Sequence, residues 1–280
     1  ARGDQCDHCG RLLTATELIN AKCKLCGESS IEVRQSQHLF LDLPKLGDRV
    51  RDWFERNSAS WTNIAQNVTR AWLKEGLKPR CITRDIDWGT PVPLKDFAKK
   101  VFYVWFDAPI GYISITANHI GSEWREWWTS QTRPVKLFQF MAKDNVPFHS
   151  IVFPATLLGT NRSYNLVDQL VAIDYLMYEG QKFSKSNSVG VFADQAAETG
   201  IPCDVWRYYL VANRPETQDS NFSWDDLMLR NNGELLNNLG NFFNRTLSLC
   251  HRYYDGRVPT SPTHLAQEDS DLLGSINEIA

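Results

Sequence analysis

The sequence predicts an α/β fold built on a doubly wound parallel sheet, and three stretches carry that expectation. Residues 101–106, 135–141 and 170–178 are apolar, β-rich runs, each followed by a polar or glycine-bearing turn and then by helical periodicity. A run as apolar as Val101-Phe102-Tyr103-Val104-Trp105-Phe106 reads as an interior strand with both faces buried. At 280 residues the chain has room for two domains and a sizeable core. Its 42% apolar and 22% charged content is that of a globular protein rather than a disordered one. No apolar run is long enough to predict a membrane-spanning helix. A net charge of −3 argues against an overall basic nucleic-acid binder while leaving room for local positive patches. The first residue is Ala1, with neither an initiator Met nor a secretory pattern, and the chain is read as a fragment of a longer protein. The four Asn-x-Ser/Thr sequons are read as chance.

In chain order, the first feature is metal-like. Cys6-x-x-Cys9 and Cys23-x-x-Cys26 are separated by thirteen residues, and a glycine follows each pair. Four thiolates so arranged can close a tetrahedral structural zinc site; two disulfides or four unconnected thiols are the alternatives. Cys81, Cys203 and Cys250 lack such a pattern and read as buried thiols.

From residue 35 the pattern changes. Leu39, Leu41 and Leu43 alternate before Pro44 as in a short strand or extended arm. Residues 49–57 and 64–75 have helical spacing, the second helix ending near Gly76. The Pro/Gly/Trp cluster of residues 88–93 predicts a shaped loop, either a linker or a site wall with the preceding Arg84 facing an anion.

Three α/β units come next. The first strand ends at Asp107-Ala108-Pro109-Ile110-Gly111-Tyr112, where Asp107 is placed to cap a helix with Pro109 in its first turn. Trp105 and Tyr112 lie at its carboxyl end, where open α/β sheets bind ligands; they either wall a pocket or pack on each other. The second strand leads through the turn Ala142-Lys143-Asp144-Asn145 into a helix over residues 146–158 that carries His149. A lone histidine on a helix is more often structural than functional. The third runs into Gly180-Gln181-Lys182-Phe183-Ser184-Lys185-Ser186-Asn187. Two lysines three apart among small hydroxyl residues make a cationic loop suited to a polyphosphate, although most such runs are solvated turns.

Beyond Trp206 the composition turns helical. Residues 214–219 read as an interdomain turn, and Ser223 as the N-cap of a long helix. Leu236, Leu239, Phe243 and Leu247 form an apolar stripe on that helix. Asn237, Asn241 and Arg245, four apart, line a neighbouring polar face that suits reading of unstacked RNA bases or is simply solvated.

Taken together these stretches resemble the methionyl-tRNA synthetases of the eukaryotic cytosolic type, over essentially the whole chain. The residues that carry the resemblance are the opening Ala1-Arg2-Gly3-Asp4-Gln5-Cys6 and the stretch from Tyr103 to Tyr112. They continue with Lys143-Asp144-Asn145-Val146-Pro147-Phe148-His149-Ser150, the lysine loop, and Asn237, Asn241 and Arg245. The loop is similar to the KMSKS signature of class I synthetases, with Phe183 in place of Met. The resemblance implies the second half of a Rossmann-like class I catalytic domain (35–212), preceded by a zinc-knuckle insertion (1–34) and followed by an α-helical anticodon-binding domain (213–280). It implies a methionine pocket of Trp105, Ala108, Pro109, Tyr112 and His149, with Arg84, Lys143 and Asp144 at the rim. In it, Lys182, Ser184, Lys185 and Ser186 bind ATP, and the two lysines are catalytic. Asn237, Asn241 and Arg245 read the anticodon, and Cys6, Cys9, Cys23 and Cys26 hold zinc. ATP, Mg²⁺ and structural Zn²⁺ are the implied cofactors. Methionine and initiator and elongator methionine tRNA are the implied partners, with a multi-synthetase complex as a further candidate. The implied location is cytoplasmic.

Departures from the family's pattern bear on function. His119-Ile120-Gly121-Ser122 looks like the HIGH signature of this class, but it follows a helical stretch and precedes Trp124, Trp127 and Trp128, so it is set aside. Without the HIGH-bearing half, the 280 residues alone are expected to be inactive. Some relatives interlock further Cys pairs upstream, in which case these two pairs belong to two zinc sites. The competing readings are a class I synthetase for valine, isoleucine, leucine or cysteine, a non-catalytic RNA-binding scaffold derived from a synthetase, and a zinc-ribbon module on an unrelated α/β partner.

Overall fold

The structure, a computed structural model, describes residues 15–23, 26–29, 31–129, 132–185, 188–260 and 264–279, which fall into two compact units. The first runs to Leu176 and includes Arg214–Ser220; the second comprises Met177–Asn213 and Asn221–Ala280.

In the first unit, strand β1 (Phe40–Leu41) pairs antiparallel with β2 (Arg80–Cys81) across two helices. Helix α1 (Leu43–Asn57) starts where Asp42 accepts the Lys45 amide proton, with Pro44 in the first turn, where its missing N–H costs nothing. Helix α2 (Asn63–Glu75) stops at Gly76, whose φ of 91° ends it. Leu43, Val50, Trp53 and Phe54 of α1 and Ala65 and Leu73 of α2 are buried at helical spacing. They pack with Val146, Ile151, Ala155, Leu170 and Ala172 into one core. Trp61 lies tilted against Trp53 and edge-on to Phe54, and donates from its indole to the Asp168 carbonyl at 2.9 Å.

Two expectations about strands are corrected. Residues 101–106 do not form an interior strand. Only β4 (Val101–Phe102) is extended, pairing antiparallel with β3 (Thr83–Arg84) in the register Thr83↔Phe102. The chain then coils into α3 (Val104–Asp107), because its aromatic side chains find partners in depth: Tyr103 stacks on Trp105, and Trp105 meets the Phe148 ring edge-on at 4.8 Å. Asp107 ends this short helix instead of capping the next one; α4 (Ile110–Ile120) is entered through Pro109. His119, in its last turn, is exposed. Helix α5 (Trp124–Trp128) anchors Trp128 in a second core cluster with Ile113, Phe153 and Leu157.

The strand expected over residues 170–178 is the second correction. β5 (Phe138–Ala142) and β6 (Gln169–Ile173) pair in parallel, in register from Phe138↔Gln169 to Ala142↔Ile173. From β5 the chain passes through a 3₁₀ turn (Lys143–Asn145) and a π turn (Phe148–Val152) into α6 (Phe153–Gly159), which realises the expected helix after the polar turn. The third strand is broken. After β6 the Asp174 amide turns to Pro215 O and the Tyr175 amide to Asp219 Oδ1, both at 2.9 Å, and leave the ladder. The chain continues as an antiparallel hairpin, β7 (Leu176–Tyr178) with β8 (Gln181–Lys182). Its two-residue loop, Glu179-Gly180, has φ of 46° and 76°, the two positive angles such tight hairpins require.

In the second unit β7 lies between β8 and β9 (Ser220–Phe222). Phe222 is sandwiched between Tyr178 and Trp206 at 5.5 and 5.7 Å, with Tyr209 edge-on to it. Around this stack lie α7 (Ala193–Glu198), α8 (Cys203–Ala212) and α9 (Trp224–Arg230). Ser223 caps α9 as expected, accepting the Asp226 amide proton at 3.1 Å. The helix continues through wide π turns (Asn231–Gly240) into α10 (Asn241–Tyr254), which Asp255 ends in the left-handed region; α11 spans Gln267–Ile279. The stripe Leu236, Leu239, Phe243 and Leu247 stands exposed. The three remaining cysteines are not buried: Cys203 is exposed, and Cys81 and Cys250 are only partly covered, because each lies on a short strand or a helix face turned toward solvent.

Candidate active site

In the first unit, Trp105, Ala108 and Tyr112 recur at three- and four-residue steps along α3 and α4, and Pro109 sits between the two helices. Opposite them, the turn after β5 presents Asp144 and Asn145, and the π turn presents Phe148 and His149. These eight residues line a cavity of about 230 Å³. All five residues expected to form the amino-acid pocket are thus brought together, with Asp144 at their rim.

The polar geometry within the cavity has one direction. His149 Nδ1 lies 2.8 Å from the Asn145 carbonyl oxygen. A carbonyl only accepts, so Nδ1 carries the proton, and in the neutral ring Nε2 is an acceptor. Nε2 lies 2.8 Å from the Tyr112 hydroxyl, which therefore donates to it. Burial pushes His149 below the ordinary histidine value, although the Asn145 carbonyl pulls the other way, and burial raises the Tyr112 phenol. Both shifts favour the neutral pair. With both ring nitrogens engaged, the neutral imidazole has no proton to offer a ligand; the polar surface it presents runs through the Tyr112 oxygen.

Arg84 and Lys143 do not line the cavity. Arg84 stacks its guanidinium on the Tyr103 ring at 3.6 Å, behind the Tyr103–Trp105 stack, and so braces the wall from outside. Lys143 turns away, to Asp174 at 2.5 Å and Asp219 at 3.1 Å, with its ammonium 4.8 Å from the centre of the Tyr175 ring. Burial works against that charge, but the hydrogen bonds to Asp174 and Asp219 outweigh it and raise the Lys143 pKa.

The expected phosphate-binding side chains lie in the second unit. Ser184 and Val189 exchange backbone hydrogen bonds of 2.8 and 3.0 Å, closing the lysine loop as a small hairpin extension with Lys182 and Lys185 exposed. Phe183 packs against Tyr178 and Phe192 and anchors the loop. Gly190 passes so close that a Cβ there would stand 2.3 Å from the Phe183 ring. Ser186 lies outside the described residues. Asn237, Asn241 and Arg245 are all exposed along the π turns and α10. Of the cysteines, Cys6 and Cys9 lie outside the described residues. Near Cys23 and Cys26, the Gly27 amide donates to Cys23 O at 2.9 Å and the Cys23 amide to Glu28 O at 2.7 Å. Among the described residues, no three His, Cys, Asp or Glu side chains meet in a metal-binding group.

Sequence reasoning missed Phe148 and Asn145 as cavity residues, and Asp174 and Asp219 as partners of Lys143. A signal existed for Asp174. Two apolar runs end in residues of opposite charge, Lys143 and Asp174, and the register Ala142↔Ile173 sets those ends side by side. A larger cavity of about 500 Å³, lined by Pro202, Trp224 and Met228 among others, lies in the second unit and contains none of the expected site residues.

Residues 1–247 match the family model described as tRNA synthetases class I (M). The chain belongs to this family. Its relatives include the cytoplasmic methionine–tRNA ligases of Xenopus laevis, 58% identical over 99% of this chain, and of Homo sapiens, 56% identical over the same share. That of Saccharomyces cerevisiae is 51% identical across the full chain. The chain spans about a third of these relatives' length: 30% of the first two and 37% of the third. A solved structure of the Mycobacterium tuberculosis methionyl-tRNA synthetase in complex with methionyl-adenylate is similar with a TM-score of 0.74 and 26% identity, over 95% of this chain and 51% of that one. The fold is thus the α/β class I synthetase fold of the family. No helix among the described residues is long and apolar enough to cross a membrane.

Proposed function

We propose that this chain is part of a methionine–tRNA ligase and carries its methionine pocket. The observation that carries this reading is the meeting of Trp105, Ala108, Pro109, Tyr112 and His149 in one cavity, in a chain 51–58% identical to cytoplasmic methionine–tRNA ligases. An aromatic wall suits a flexible, polarisable thioether. A sulfur gains contacts with aromatic rings that a methylene does not, and the Tyr112 oxygen, its proton committed to His149 Nε2, presents only lone pairs to the ligand.

In the reaction, the methionine carboxylate attacks the α-phosphorus of ATP and pyrophosphate leaves. The 3′-terminal ribose hydroxyl of the tRNA then attacks the adenylate carbonyl and AMP leaves. Lys182 and Lys185 supply positive charge to the phosphates as negative charge grows on them, with Ser184 and Ser186 in the same loop. Mg²⁺, when bound, shares that neutralisation. Asn237, Asn241 and Arg245 offer hydrogen bonds and a stacking plane to anticodon bases. Residues 1–34 form the zinc knuckle, 35–212 the catalytic part and 213–280 the anticodon-binding part. The hydrogen bonds that draw Cys23 to Gly27 and Glu28 fit one half of a structural zinc site, completed either by Cys6 and Cys9 or by further Cys pairs upstream. The relatives' name supports a cytoplasmic location.

The test is amino-acid-dependent ATP–pyrophosphate exchange by the full-length protein, each amino acid supplied separately. Exchange with methionine alone is expected. Exchange with another amino acid overturns the pocket assignment, and no exchange with any of them overturns the enzyme.

A further inference from the structure

A continuous chain of contacts leads from two carboxylates outside the cavity to the hydroxyl group within it. Asp174, just past the end of β6, and Asp219 hold the Lys143 ammonium at 2.5 and 3.1 Å. Lys143 is the first residue of the 3₁₀ turn Lys143–Asn145, whose own carbonyl takes the Val146 amide proton. The last residue of that turn, Asn145, presents the carbonyl that takes the His149 Nδ1 proton, and His149 Nε2 takes the Tyr112 proton. A second tie fixes the far side of the bracket: Asp219 Oδ1 also accepts the Tyr175 amide, and the Ser220 amide donates to Tyr175 O at 3.0 Å. The bracket therefore links the ends of two parallel strands to the return segment Arg214–Ser220, and its ammonium lies at the root of the turn that lines the cavity.

We propose that Asp174 and Asp219 are positioning residues for the pocket: through Lys143 and the turn it heads, they fix the ring tautomer of His149 and so the direction of the Tyr112 hydroxyl. The reasoning is geometric. If the turn relaxes, the Asn145 carbonyl leaves Nδ1, the imidazole loses its reason to prefer one tautomer, and the Tyr112 proton is no longer committed to Nε2. A Tyr112 hydroxyl released from Nε2 can turn its proton toward the ligand, where a thioether sulfur accepts it and a methylene does not, so selectivity changes more than turnover does. This inference rests on the reading of the cavity as the methionine pocket.

The test uses the full-length protein with Asp219→Asn, and with Asp174→Asn and Asp219→Asn together, which remove charge at nearly constant shape. The ¹⁵N resonances of the His149 ring report the tautomer whatever amino acid the enzyme activates. The wild type is expected to show one tautomer protonated on Nδ1, and the double variant a mixture. In exchange assays the preference for methionine over norleucine should rise several-fold in the double variant, less in the single variant, with the KM for ATP unchanged, and Asp219→Glu should leave it near the wild-type value. A wild-type tautomer and wild-type preference in folded variants overturn the proposal. Failure of the wild type to prefer methionine, with the tautomer still shifting in the variants, overturns the pocket reading and leaves the bracket's control of His149 standing.

Discussion

The Tyr112 hydroxyl lies 2.8 Å from His149 Nε2, and the geometry at the other ring nitrogen decides which of the two donates. Removing that hydroxyl while keeping the ring tests what the pair does. Tyr112→Phe in the full-length protein leaves His149 Nε2 without its donor beside the ligand and is expected to raise the KM for methionine by about three- to tenfold, the cost of one unpaired acceptor being about 1 kcal/mol. The KM for norleucine should rise by a similar factor, and the KM for ATP should not move. Steady-state exchange kinetics with both amino acids measure this.

The same pair sets a pH dependence. His149 is held below its ordinary value chiefly by burial, so between that value and the folded one the unfolded chain binds more protons than the folded chain. Its contribution to stability is complete above the ordinary histidine value of about 6.5 and is lost as pH falls through the depressed folded value. Protonation also makes Nε2 a donor and forces the Tyr112 hydroxyl to turn. The KM for methionine should therefore be flat from neutral pH upward, stay flat through the ordinary histidine value of about 6.5, and rise only on further acidification through the depressed folded value. A His149→Phe variant should lose that acid limb, as KM measured across the pH range would reveal.

The lysine loop depends on a glycine for a reason distinct from catalysis. Gly190 has φ of 129°, and a side chain there would meet the Phe183 ring at 2.3 Å. Gly190→Ala should dislodge Phe183 from Tyr178 and Phe192 at a local cost of about 1–3 kcal/mol. The expected result is faster proteolytic cleavage within residues 180–190 and a lower kcat in exchange, with an unchanged KM for methionine.

Zinc content decides how the cysteines are shared. If Cys6, Cys9, Cys23 and Cys26 hold one ion, Cys26→Ser alone should remove all the zinc these four hold. If the pairs belong to two sites completed by upstream thiolates, Cys9→Ser and Cys26→Ser should each remove one ion and their effects should add. Metal analysis of the purified full-length variants separates the two outcomes.

How much of this was legible in the sequence differs from element to element. Helices α1 and α2 were, because their buried residues recur at the helical period and Gly76 marks an end. The cavity residues were legible through resemblance, since nothing in the spacing of Trp105, Tyr112 and His149 brings α4 and the π turn together. Residues 101–106 misled because a β-rich run says only that the side chains will be covered; here the cover comes from neighbouring rings rather than from a sheet. The break after β6 was hidden because the carbonyl and carboxylate that divert the Asp174 and Tyr175 amides come from residues more than forty positions further on, Pro215 and Asp219. Long-range hydrogen bonds of this kind leave no periodic trace.

The most direct measurement is a crystal structure of the full-length protein with methionine. The thioether should fill the cavity between Trp105, Pro109 and Phe148, with its sulfur in contact with the Tyr112 oxygen and His149 still donating to the Asn145 carbonyl. Methionine bound elsewhere, with this cavity unfilled, would contradict the assignment of the pocket.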